Sequence, residues 1–353
     1  MRMPQWTKKW SRRATDVGES LAEDYTGPNN PLWIRAGIIL AAIYVLTVLL
    51  LGWYWNEEPD MFDVAENARN HAADQVVGGA STAALIGVVE TMLEKRGGYL
   101  SNDIAPPGAL LDNIPSWEYG VVIQVRDFSK ALREAFSRSL SQSTEDGDLA
   151  LAESRFNFDH NSWVVPATES EYREGVQYLE GYLARLTDSD EYDAQFYARA
   201  DNLRYWLGTV ETRLGSLSQR LSASVGQRRI NTDLAGDGAG RQSTSSPGEL
   251  KVKTPWLDID NVFYEARGST WALIHLLKAI ELDFDEVLRK KNARVSLQQI
   301  VRELEATQET VYSPMVLNGG GFGLLANHSL VMASYISRAN AAIIDLRELL
   351  AQG

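Results

Sequence analysis

The chain has 353 residues, 44% of them apolar and 23% charged, a balance that suits a folded protein and excludes global disorder. Lysine and arginine number 34 against 47 acidic residues, and the net charge of -13 repels phosphate backbones, which excludes nucleic acid as a partner. There is no cysteine, so disulfides, thiolate catalysis and cysteine-ligated zinc are excluded too.

Residues 1–35 form a basic tail. Trp6, Trp10, Ala14, Val17 and Leu21 recur at three- and four-residue steps among Lys8, Lys9, Arg12 and Arg13. That pattern reads either as a short amphipathic helix for an anionic leaflet or as a tail that only sets topology. Residues 36–55, AGIILAAIYVLTVLLLGWYW, are uncharged and long enough to cross a bilayer core of roughly 30 Å. Trp33 and Arg35 mark one interface, and Trp53, Tyr54 and Trp55 the other. Six basic residues precede the span, while Glu57, Glu58, Asp60, Asp63 and Glu66 follow it before Arg69. The positive-inside rule then places the N-terminus in the cytoplasm and everything beyond the span in the periplasm of an inner-membrane protein. The apolar run is too long for a signal peptide and lacks a small-residue cleavage site, so an anchor is expected. A tail of 35 residues has no room for a signalling output domain.

Beyond the span the periodicity is helical and the expected class is all-α, a multi-helix bundle without a sheet. Ser81 to Lys95 is closed by Gly97 and Gly98, and Trp117 to Gln142 follows. Thr168 with Glu171 has the spacing of a capping box opening a helix to Thr187, and Ser296 with Gln299 repeats that spacing for a helix to Tyr312. A last helix is expected over Asn327 to Leu350. Between 196 and 221, Phe196, Ala200, Leu203, Leu207, Val210, Leu214, Leu217 and Leu221 form a coiled-coil-like seam. Its partner is either another helix of the chain or a second copy, giving a homodimer. Residues 226–254 are rich in Gly, Ser and Thr and read as a flexible loop between a first half, 56–225, and a second, 255–353.

The halves carry an internal echo. A shift of 148 positions aligns Pro107 with Pro255, Asp112-Asn113 with Asp260-Asn261, Gly120 with Gly268 and Lys130-Ala131 with Lys278-Ala279. It also pairs Phe136 with Phe284, Leu140 with Leu288, Leu149 with Leu297 and Pro166 with Pro314. A duplication would give a pseudo-symmetric bundle with a groove between halves.

The densest unusual stretch is 97–127, where three prolines, four glycines and Asp127 accompany Trp117, Glu118 and Tyr119. Irregular backbone with aromatics and carboxylates forms either a ligand site or a structured connection. Glu118 between two aromatic residues is the candidate general acid, since an apolar setting raises a carboxyl pKa. Trp117, Tyr119 and Asp127 are candidate ligand contacts. The runs GGYLSNDIAPPG, DNIPSWEYG and RDFSKALR resemble an uncharacterised proteobacterial family of single-pass envelope proteins, a domain of unknown function. The resemblance implies a Gram-negative inner-membrane setting and brings no catalytic residues. His71, His160, His275 and His328 lack metal-ligand spacing, and Asp159-His160 has no nucleophile beside it. Gly319, Gly320, Gly321 and Gly323 precede the last helix without a Walker lysine, so neither a metal nor another cofactor is expected.

Three functions fit these readings. The first is an envelope scaffold that docks other envelope proteins. The second is a glycan hydrolase or lytic transglycosylase acting through Glu118. The third is a module that binds lipid or a small ligand between the halves.

Overall fold

The computed structural model describes residues 32–139, 144–188, 193–230, 249–311, 315–318 and 326–352. The chain divides after Tyr54 into two units. Helix α1, Leu32–Trp55, opens four residues ahead of the uncharged run and takes Trp33 and Arg35 into its first turn. Its 24 residues span about 36 Å at 1.5 Å per residue, long and apolar enough to cross a membrane. None of its side chains is buried by protein.

The second unit, Trp55–Gly353, is built from α2 (Val64–Asn70), α3 (Gly79–Glu94), α4 (Asn113–Ala131), α5 (Gly147–Phe156), α6 (Thr168–Thr187) and α7 (Ala200–Ser222). Then come α8 (Ile259–Asp283), α9 (Asp285–Lys290), α10 (Arg294–Glu305) and α11 (His328–Ala351). The chain is all-α in class, as its periodicity implies. One addition was not expected: strands β1 (Gln227–Ile230) and β2 (Glu249–Val252) pair antiparallel, so the two ends of the 226–254 stretch are held together. Each carries a single β-branched residue, too little for an alternating pattern to be read.

Helix α8 is the core. From Phe263 to Ile280 almost every residue is buried, as an element apolar on all sides requires. Most of its buried polar groups have partners, the Trp271 indole N–H being an exception. Ser269 accepts from Gln124 at 2.8 Å, Thr270 bonds Thr307 at 2.8 Å, and Glu265 pairs with Arg220. Arg267 grips both carboxylate oxygens of Glu58 at 2.8 Å. His275 donates from Nδ1 to the Trp271 carbonyl at 2.8 Å and accepts the Phe62 amide at Nε2, 3.1 Å away. Residues 58–62 are thereby clamped along α8.

Helix α7 carries the leucine seam, and α11 covers it. Leu203, Leu207, Val210, Leu214, Leu217 and Leu221 are all buried within the single chain, opposite Ile336, Ala339, Ile343 and Leu346. Of the two partners the spacing allows, the structure shows the intrachain one, with the seam's apolar face in the core. Phe196 lies outside the helix, four residues ahead of Ala200, and packs on Phe136 and Phe284.

The 148-residue shift is legible in the geometry. It carries the short 3-10 turn Gly108–Leu110 onto Trp256–Asp258, α4 into α8, and α5 into α10. Helices α4 and α8 pack against each other at their paired glycines. A Cβ on Gly120 would lie 2.1 Å from the Glu265 carbonyl oxygen, and one on Gly268 would lie 1.9 Å from that of Trp117. The shift maps Trp117 onto position 265, so each half offers its glycine to the same carbonyl of the other. This is the reciprocity of a two-fold axis.

Candidate functional site

The chemistry proposed for 97–127 turns on where α4 points its side chains. Trp117 and Glu118 are fully buried. Trp117 faces α8, its ring 5.1 Å from that of Trp271. Tyr119 lies against His160 at 4.9 Å, and Asp127 is held bidentately by Arg213 of α7 at 2.6 and 3.0 Å. The three candidate ligand contacts therefore face three different neighbours and do not converge.

Glu118 is closed to solvent by four donors. Oε1 accepts the Leu100 amide at 2.8 Å and the Lys95 ammonium, and Oε2 accepts the Ser101 amide at 2.8 Å and the Ser101 hydroxyl. Lys95 is itself buried and also donates to the Gly98 carbonyl. Burial pushes the Glu118 carboxyl above its ordinary range, while Lys95, Ser101 and the Leu100 amide pull it back. A carboxylate with its lone pairs filled by its own loop has no face left for a substrate oxygen. Its role here is to shape residues 97–103, where Gly97 and Gly98 turn the chain with φ of 85° and 74° after α3.

That shaped loop braces a second one. The Tyr99 hydroxyl donates to the His160 carbonyl at 2.6 Å, and Asn102 Nδ2 donates to the Ser162 carbonyl at 2.9 Å and to Glu169 at 2.7 Å. Arg126 of α4 fixes the far side, donating to the carbonyls of Phe156 and Phe158 at 2.7 Å each. Thr168 does not cap α6 as the Thr168/Glu171 spacing implied. Its hydroxyl donates instead to the Asp159 carbonyl at 2.8 Å and accepts the Ser162 amide at 3.1 Å, closing the 159–168 loop. Burial, and then Arg126, hold the His160 imidazolium below its ordinary range.

The two braced loops carry large apolar side chains into solvent. Ile104 and Leu110 of the first are 65% and 69% exposed, and Trp163, Val164 and Val165 of the second 59%, 55% and 96%. Asn102 and Ser162, joined by a hydrogen bond, stand two residues from Ile104 and one from Trp163. None of these five was singled out from the sequence. The available signal was Trp163-Val164-Val165 between Asn161-Ser162 and Pro166, an apolar run set among turn residues and too short to bury as a helix.

Two clefts flank α8. One, of about 360 Å³, is lined by Phe263, Val311, Val331, Met332 and Tyr335, with Arg267 and His328 at its edge. The other, of about 400 Å³, lies between residues 56–61 and the turn at 308–311. Among the described residues no cluster of histidine, aspartate or glutamate has the geometry of a metal site. The glycine run at 319–323 and the tail residues Trp6 to Leu21 lie outside the described residues.

Residues 28–353 match the family described as an uncharacterized protein conserved in bacteria, DUF2333. The chain belongs to this family. The match takes in the apolar helix and the entire bundle, in agreement with the resemblance carried by 97–133. No curated protein and no solved structure matches the chain.

Proposed function

We propose that this bacterial protein is an inner-membrane scaffold, with residues 1–35 in the cytoplasm and the helical bundle presented to other proteins in the periplasm. The charge on the two sides of α1 supports that orientation, with six basic residues ahead of the uncharged run and five acids directly after it. One observation carries the scaffold reading. The buried polar chemistry of the 97–127 region, with Glu118 at its centre, holds rigid a pair of loops whose tips are apolar and exposed. Contiguous exposed apolar side chains on a rigid support mark interaction sites more often than chance surface. The hydrolase reading loses its candidate acid, since Glu118 is enclosed by its own loop.

The test is protease access and chemical crosslinking of the full-length protein in native membranes. Protection of the bundle in intact cells, digestion once the outer membrane is opened, and a reproducible protein adduct are the expected results. Digestion only after the inner membrane is breached would overturn the orientation. Absence of any protein adduct across the bundle surface would overturn the scaffold.

A second reading rests on the apolar cleft at Phe263, Met332 and Tyr335, whose volume lies within the range of small-ligand pockets. If it holds a lipid or another apolar molecule, native mass spectrometry will find a co-purifying species that Met332→Trp displaces. Identical spectra for the two proteins would remove this reading.

A further inference from the structure

We propose that the 97–111 and 157–167 loops dock a protein segment that sets apolar side chains beside lysine or arginine. This rests on the scaffold reading and names its surface and the chemistry of its partner. The apolar half of the argument is the exposure of Ile104, Leu110, Trp163, Val164 and Val165 on loops fixed by the Tyr99 and Asn102 hydrogen bonds. Fixed loops lose little conformational entropy on binding, which favours them as a docking surface.

The charged half comes from the acids around those tips. Asn102 bonds Glu169, so Asp103, its chain neighbour, stands close to a second carboxylate. Asp159 lies at the foot of the second loop with its side chain 63% exposed. Among the described residues no lysine or arginine nitrogen lies within ion-pair distance of Asp103 or Glu169. Lys95, the cation of this loop, is bound to Glu118. Elsewhere on α6 the pattern is different, because Glu171 and Glu174 share Arg155. Burial and then the neighbouring Glu169 push the Asp103 carboxyl above its ordinary range, against a smaller opposing pull from Lys95.

A cation supplied from outside satisfies this pair. An anionic bilayer surface supplies the wrong sign, since loops that insert there carry lysine and arginine around their apolar tips. The occupant that answers both halves is a protein segment, apolar at its centre and basic at its edge, the complementarity that fixes register at interfaces.

The test places photoreactive benzoylphenylalanine at Trp163 of the full-length protein in native membranes. Val295, 75% exposed on α10, is the comparison position. The expected result is a discrete protein adduct from Trp163 and not from Val295, with the crosslinked peptide carrying lysine or arginine beside apolar residues. Reversing the acids with Asp103→Lys and Glu169→Lys should lower its yield about two- to thirtyfold, the range for two exposed ion pairs. The neutral pair Asp103→Asn and Glu169→Gln should lower it less, in the same direction, and guards against a folding defect in the reversed variant. Adducts only to lipid at Trp163, or a protein adduct indifferent to both charge variants, would overturn the inference. Adducts from Val295 but not Trp163 would overturn this surface and leave the scaffold standing. No protein adduct at either position, nor in the general crosslinking above, would remove both.

Discussion

Glu118 and Lys95 are both buried, and each is the other's counter-charge. Glu118→Gln leaves the ammonium uncompensated in the interior and should destabilise the bundle by about 3 kcal/mol, read from urea unfolding. Adding Lys95→Met should recover much of that loss, as coupling in a double-mutant cycle. A catalytic role predicts the reverse pattern, activity lost at unchanged stability. His275 supplies a second measurement. Burial holds its pKa down to about 4, from the ordinary 6.5. Below 6.5 the unfolded chain takes up the proton and the native state does not. The contribution is therefore complete above 6.5 and falls as pH drops towards 4, by up to about 3 kcal/mol. Urea midpoints at pH 7 and pH 5 should move further apart in the wild type than in His275→Gln. That difference isolates the imidazole from Glu118 and Asp283, whose raised carboxyls act with the opposite sign. At this scale the sequence identified Glu118 as unusual, but its role was not legible. An acid flanked by two aromatics looks the same whether its lone pairs face a cleft or the backbone of a loop eighteen residues upstream.

Among the elements, apolar spacing located the helices well and their end devices poorly. The expected 81–95 helix is observed at Gly79–Glu94, and the last one at His328–Ala351. The helix expected to reach Gln142 instead ends its α-form at Ala131 and passes through a π turn, Leu132–Phe136, which sets Phe136 among Phe128, Phe196 and Phe284. The helix opened near Ser296 stops at Glu305, with a 3-10 turn at Ala306–Gln308 after it. Capping spacing is a local signal, and Thr168 shows how a tertiary partner displaces it. The Ser162 amide takes the hydroxyl oxygen that a capping box would offer to a helix amide, and the hydroxyl proton goes to the Asp159 carbonyl. Long-range caps are equally hidden: Asp283, at the end of α8, accepts the Ser81 amide in the first turn of α3 at 2.7 Å. The α4–α8 contact gives the prediction proper to this scale. Gly120→Ala drives a methyl group into the Glu265 carbonyl and should cost about 1–3 kcal/mol or more in thermal unfolding. Gly215→Ala on α7 meets only Asn340 Nδ2, at 3.6 Å, and should stabilise by about 0.5–1 kcal/mol through helix propensity.

Across the molecule, the repeat was visible in sequence only as scattered identities, and its physical meaning lies in the paired glycines. Two similar halves need not touch through equivalent atoms. These do, with Gly120 set against position 265 and Gly268 against position 117. The halves differ in spacing at the braced loop pair, since α6 follows α5 closely whereas α11 begins 23 positions beyond α10. Halves that meet through such reciprocal contacts can be compared with the two members of a dimer, here with one covalent link between them. That link runs between Ile230 and Glu249, whose strands already pair. Expressed as two polypeptides cut there, the fragments should find each other and co-purify as a one-to-one complex with wild-type helicity, and Gly268→Leu should prevent their association.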